Sequence, residues 1–170
     1  MKNSKKIALV ALILIILAVL CFTFVACDSG NDDSKKSITV YIGDGENNSY
    51  SVTTNQAYLM DVLKEMKNNG IIDVLETEDS AYGAFIKSIG TLNPGANEFC
   101  SVWHSLDKFE LKSVYADYYA SYEHGQKIEE EGTVFFGTKI GDKTLYLSTV
   151  GVSSLPVKDG ACYAIFVDRY

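Results

Sequence analysis

The alternation of greasy and wet stretches divides the chain before any motif is sought. Residues 7–25, IALVALILIILAVLCFTFV, carry no charge and follow KNSKK with its three lysines. Residues 28–37, DSGNDDSKKS, contain no apolar side chain at all. A basic stub leading into an apolar run is the layout of an export signal. The run also approaches the roughly 20 residues that span a bilayer, so a retained N-terminal helix is the rival expectation. The polar stretch cannot build a core and is expected to be a solvated tether. The expected organisation is therefore a leader over 1–26, a tether over 27–37 and one folded domain over 38–170.

Inside that domain the period changes several times. ITVYI (38–42) alternates, with Ile38, Val40 and Ile42 on one face, and SYSVT (49–53) alternates again. The turn-rich GDGENN between them makes the pair a β-hairpin. TTNQAYLMDVLKEMKNNG (53–70) switches to helical spacing, with Leu59, Leu63 and Met66 forming a stripe that Met60 and Val62 widen. Thr54 or Asn55 is the expected cap, and Gly70 the expected stop. IIDVLE (71–76) and CSVWH (100–104) then read as short strands, with FIKSIGTLNPG (85–95) between them ending in a turn at Pro94-Gly95. FELKSVYADYYASYE (109–123) alternates at length, although Ala and Tyr fit a helix over 112–122 as well. TVFFGTK (133–139) and KTLYLSTV (143–150) predict a hairpin across Ile140-Gly141-Asp142, and ACYAIFV (161–167) a closing apolar strand. The fold class that follows is α+β: one amphipathic helix on a mixed or antiparallel β-sheet, with an N-terminal hairpin, in a single domain.

Cys27 sharpens the picture of the leader. It follows Phe24, Val25 and small Ala26, a pattern that resembles the bacterial lipobox, in which the thiol takes a diacylglycerol and becomes the new N-terminus. Cys21, behind bulky Leu20, is better read as apolar filler. Palmitate-type acyl chains on Cys27 would hold the protein at the outer face of a cell membrane, two being enough where one is marginal. Loss of Lys2, Lys5 and Lys6 with the leader leaves 12 basic against 22 acidic residues, a net of −10. So acidic a chain repels phosphate backbones, which argues against nucleic acid as a partner. Cys100 and Cys162 are then the remaining thiols. Outside the cell they can bridge, and two buried free thiols are the alternative.

The chain carries no HExxH, no P-loop, no GxGxxG and no GxSxG elbow, since GVSSL (151–155) lacks the second glycine. Asp44, Glu46, Asn47 and Asn48 do not follow the order of an EF-hand loop, so a plain turn is expected there. His104 and His124 have no ligand-type residue at metal spacing, and Glu129–Glu131 reads as a solvated loop. No catalytic residue and no metal site is expected, and the chain reads as non-enzymatic. What remains distinctive is the aromatic content: 11 tyrosines and the single tryptophan, Trp103, all lie beyond residue 37. Phe85, Phe135, Phe136 and Phe166 default to the core. Trp103 beside His104, and Tyr82 beside Gly83, are the candidate ligand contacts.

Five blocks in fixed order carry a family resemblance: ITVYI, YLMDVLKE, YGAFIKSIGTL, Ser101-Val102-Trp103 and GVSSLPVKDGACYAIF. Together they resemble the transcobalamin-like C-terminal domain of exported bacterial lipoproteins, with residues 109–143 longer than the family pattern. The resemblance implies an α+β unit related to the small domain of cobalamin carriers, which closes over one face of the corrin ring. It implies no obligatory cofactor, cobalamin or another corrinoid as ligand, and contacts from Tyr82, Gly83, Phe85, Trp103 and His104. Two other expectations stay open beside it. One is a surface module that meets an envelope protein or a glycan. The other is a cation-binding protein, suggested by the acidic balance and the two histidines.

Overall fold

The computed structural model describes residues 35–44, 48–116 and 122–169. The expected leader, Cys27, most of the tether, Glu46, Asn47 and residues 117–121 lie outside them. Strand β1 (Lys36–Ile42) pairs antiparallel with β2 (Ser49–Thr54), as the alternation predicted. Lys36 and Ser37, assigned to the tether from sequence, belong to this strand. Ser37 donates its N–H to Asp159 and accepts from Gly160, so the backbone needs of both segments are met together.

Helix α1 (Leu59–Asn68) buries Leu59, Met60, Val62, Leu63 and Met66 on one stripe. It starts later than the polar residues Thr54 and Asn55 suggested, and no side chain caps it. The amides of Leu59 and Met60 instead donate to the carbonyls of Leu155 and Val152. A tertiary loop thus does the work that a serine or aspartate would do locally. Gly70 ends the helix with φ +69°, and Ile71 reaches back to the Met66 carbonyl.

Two short strands, β3 (Leu75–Glu78) and β4 (Phe85–Ile89), form a separate hairpin. The remaining strands are β5 (Glu98–His104), β6 (Gln126–Glu130), β7 (Thr133–Ile140), β8 (Lys143–Leu147) and β9 (Cys162–Arg169). They join β1 and β2 in a seven-stranded sheet of order β2-β1-β9-β5-β8-β7-β6. Only the β1–β9 pairing in this sheet is parallel, so the sheet is mixed and the fold is α+β, mostly β. Two expectations about the middle of the chain are corrected. The long element over 109–123 is a 3₁₀ turn at Phe109–Leu111 followed by isolated bridges at Lys112 and Val114. Glu129 and Glu130 lie in an edge strand, where their charges suit the solvent and deter a further strand.

The sheet has a core on each face. One packs α1 against Ile38, Val40, Ile42, Tyr163 and Ile165. The other gathers Trp103, Phe136, Leu145, Leu147, Cys162, Ala164 and Phe166. β9 feeds both, and from Cys162 to Phe166 every residue is buried. Such a strand reads as a continuous apolar run because neither face meets water.

The two-core arrangement separates Cys100 from Cys162, in keeping with the alternative of two buried free thiols over the possible bridge. Both thiols are free and buried. Cys100 stands opposite Val167, whereas Cys162 lies five residues away along β9 and joins the core on the other face. That is about 17 Å of strand at ~3.4 Å per residue, against a Cα separation of at most about 7 Å for a disulfide. Burial also pushes the Cys100 thiol up to about 11, which holds it in the unreactive form. Peptide mapping after alkylation in denaturant without reductant is expected to find both cysteines labelled. A linked pair of peptides would contradict the register of β5 on β9.

Candidate functional site

The register that buries α1 leaves part of the same sheet face open. Tyr146 on β8 is opposite His104, which is opposite Tyr163, so all three side chains share the helix-bearing face. Beyond α1, on β7 and β8, this face carries the rings of Phe135 and Tyr146, 5.7 Å apart and edge to face. The segment 105–112 borders it and encloses a cleft of about 710 Å³. Its lining is Ser105, Asp107, Phe109, Lys112, Glu130, Glu131, Thr133, Phe135, Thr144 and Tyr146.

Lys112 organises this cleft. Its side chain is only 5% exposed, and its ammonium lies 4.0 Å from the Tyr146 ring centre and 5.3 Å from that of Phe135. It donates to Glu130 at 2.8 Å and to Asp107 at 3.2 Å. Burial works against the charge, but these two carboxylates outweigh it and hold the ammonium above the ordinary lysine value. Glu130 is partly exposed and Asp107 fully so, which leaves carboxylate lone pairs facing the opening. Phe109 stands at the mouth, 62% exposed, with its ring edge-on to Phe135 at 5.5 Å. The arrangement offers one exposed ring, Phe109, and several acceptors held by a buried ammonium. It can hold a small polar molecule with an apolar side.

None of these residues was singled out from sequence as a ligand contact. The available signal was Lys112 itself, a charge inside the otherwise moderately apolar Leu111–Val114, together with alternation that puts Phe135 and Tyr146 in phase. The residues that were singled out divide into two groups. Tyr82, Gly83 and Phe85 do lie together, with Tyr82 70% and Phe85 49% exposed. Gly83 adopts φ +102°, and an added Cβ there would come within 2.9 Å of Ser153 Oγ. The Ala84 amide donates to that hydroxyl, and Gly151 donates to the Tyr82 carbonyl. A smaller cavity of about 340 Å³ adjoins Phe85, between Tyr122, Phe99 and the Val150-Gly151 turn.

Trp103 and His104, by contrast, are core residues with no exposed surface. Trp103 points into the core on the far face, packed on Phe136 at 5.3 Å, and donates its indole N–H to Ser101 Oγ. His104 lies beneath the 105–111 loop. Its Nε2 donates to the Leu111 carbonyl and its Nδ1 accepts from the Leu106 amide, which fixes the neutral tautomer. Burial then pushes its pKa down to about 4.

The second histidine occupies a different kind of place. His124 stacks on Phe166 at 4.4 Å, with Nδ1 2.9 Å from Asp168 and Nε2 2.7 Å from Asp44. Asp168 is fully buried and also accepts from Ser101 and from the His124 amide. The hydrogen bond to Asp168 keeps the His124 imidazole above its usual value, against the pull of desolvation. With a carboxylate at each nitrogen, the imidazolium has no lone pair to take a proton or ligate a metal. Among the described residues no three His, Cys, Asp or Glu side chains converge as a metal site requires.

No protein-family model matches this chain, so the transcobalamin-like family is not assigned to it. No curated protein matches it either. Among solved structures, the chain is similar to a candidate metal binding protein from Ruminococcus gnavus ATCC 29149, at 14% sequence identity and a TM-score of 0.44. That match covers 79% of this chain and 98% of the other.

Proposed function

We propose that this chain is a non-enzymatic ligand-binding lipoprotein, held at the outer face of a cell membrane by acyl groups on Cys27. In this proposal residues 1–26 are the leader, and a short tether carries the sheet domain that begins at β1. The cleft above Lys112 is the observation that carries it. Its volume falls within the roughly 300–1,000 Å³ of small-molecule sites, and a few converging polar groups stand beside the exposed ring of Phe109, as such sites require. A cation as ligand is less well supported, because Lys112 already lies between the two nearest carboxylates.

A corrinoid is the ligand suggested by the five sequence blocks quoted above. The exposed Tyr82 and Phe85 beside the smaller cavity are the surface it would use. The mixed polar lining of the larger cleft favours instead the alternative of a glycan-interaction module. Calorimetric titration of the full-length chain in detergent, first with cyanocobalamin and then with neutral oligosaccharides, tests the proposal. Saturable heat with one of them is expected, and it should disappear when Thr144→Trp fills the larger cleft or Tyr82→Ala strips the exposed turn. Trp103 fluorescence is a poor reporter, since its ring is buried on the opposite side of the sheet. Absence of heat with every ligand, with an envelope protein recovered by the wild type and lost with Tyr82→Ala, would replace the proposal with a protein-interaction role.

A further inference from the structure

We infer that the Lys112 cleft takes a pyranose ring of a neutral saccharide, an inference that rests on this cleft being a ligand site. The charges come first. Asp107, Glu130 and Glu131 place three carboxylates against one ammonium, so an anionic ligand meets a wall of its own sign. A cationic ligand fares no better. The position over the Tyr146 and Phe135 rings where a cation is attracted is already filled by the protein's own Lys112 ammonium, at 4.0 and 5.3 Å. A metal ion would have to displace that ammonium from between Glu130 and Asp107. A wholly apolar ligand would strip water from the carboxylates and hydroxyls of the rim and return no hydrogen bond.

What fits is a neutral ring with C–H bonds on one face and hydroxyls around its edge. Phe109 supplies the platform, since its ring is 62% exposed and is braced edge-on by Phe135. The carboxylates of Asp107 and Glu130 each keep lone pairs beyond those used by Lys112, and adjacent sugar hydroxyls donate to such oxygens in pairs. Lys112 spends two of its N–H bonds on these acids and lies 4.0 Å from the Tyr146 ring centre, so its part is to hold both carboxylates in position. The acceptors are thus held in place before the ligand arrives, which lowers the ordering cost of binding.

Saturation-transfer NMR on the full-length chain in a sugar-free polyoxyethylene detergent tests this. The probes are maltotriose, mannotriose and chitotriose, with choline, glucuronate and cyanocobalamin as the other classes. Matching insoluble polysaccharides, in a pull-down, distinguish a free sugar from a polymer as the source. At least one trisaccharide is expected to bind saturably, and about tenfold more weakly to Phe109→Ala. Lys112→Met should weaken it by a similar factor while keeping the ring packing and the melting transition, because the acids it abandons are solvated. Saccharide binding unchanged in both variants would overturn the site. Binding of choline, glucuronate or cyanocobalamin alone, blocked by Thr144→Trp, would overturn the saccharide class and leave the cleft as a ligand site. No binding of any probe would overturn both.

Discussion

Truncating Trp103 to alanine is expected to cost about 3–5 kcal/mol of unfolding free energy, the range for removing a large buried aromatic. The indole has no exposed surface and packs on Phe136 and Phe166. Its loss opens a cavity on one face of the neighbouring strands β9, β5, β8 and β7, whose ladder pairing keeps them from closing over it. The damage extends past packing. Trp103 donates to Ser101, Ser101 donates to Asp168, and Asp168 holds His124. Removing the first donor leaves Ser101 Oγ buried with one partner fewer. Trp103→Phe separates the two contributions, since it keeps most of the volume and loses the N–H; a cost of about 1 kcal/mol is expected. Urea denaturation monitored by circular dichroism measures both. A change below ~1 kcal/mol for the alanine variant would mean that the ring is not part of a core.

The second large effect is expected in the dependence of stability on pH, which should peak near 6.5 and fall on both sides. His104 governs the acid side. Its folded pKa of about 4 lies below the 6.5 of the open chain, so between these values only the unfolded form takes up the proton. Stability therefore rises with pH across that window and is lost as pH falls through it. At ~1.4 kcal/mol per pH unit the loss is roughly 3 kcal/mol. Asp168 adds to it at still lower pH. Burial alone would raise this carboxyl, but hydrogen bonds from His124 and Ser101 hold it below its usual 3.8, so its contribution disappears once it is protonated. His124 acts on the alkaline side, since its pKa is raised. Its contribution is complete below 6.5 and is lost as pH climbs through the folded value. His104→Gln, which can still donate to Leu111, should flatten the acid limb; Asp44→Asn should shrink the alkaline limb. An acid limb between about pH 4 and 6.5 that survives His104→Gln would remove His104 as its cause. Melting temperatures across a pH series in constant ionic strength are sufficient.

Local period announced most of the elements. The β1–β2 hairpin, the Leu59–Met66 stripe, the β7–β8 hairpin and the apolar β9 are each specified by residues within a few positions of one another. What the sequence concealed is decided by distant residues. The start of α1 is capped by carbonyls some 90 residues away in the Val152–Leu155 loop, so a search for a local cap among Thr54 and Asn55 misplaces it. The segment after Phe109 alternates because Val114 bridges to Phe135 and Lys112 to Ser148, but the contacts are too few to make a strand. The candidate site divides the same way. Tyr82, Gly83 and Phe85 are neighbours in sequence and share one exposed turn. The Lys112 cleft joins the 105–112 loop to three later strands, and no spacing rule foretells that. Trp103 and His104 are adjacent, yet the strand turns them to opposite faces, and both faces of β5 are covered.

Placing β9 in the middle of the sheet has a further consequence for how the molecule comes into being. β1 and β5 are neighbours only through it, one parallel and one antiparallel. A ribosome that has released everything up to Gly160 has therefore produced two separate half-sheets with nothing to zip them together. Completion of the seven-stranded sheet therefore waits on eight late residues, Cys162–Arg169. A chain cut short before them is expected to lack the strand that joins β1 to β5, and to expose both edges until it is cleared.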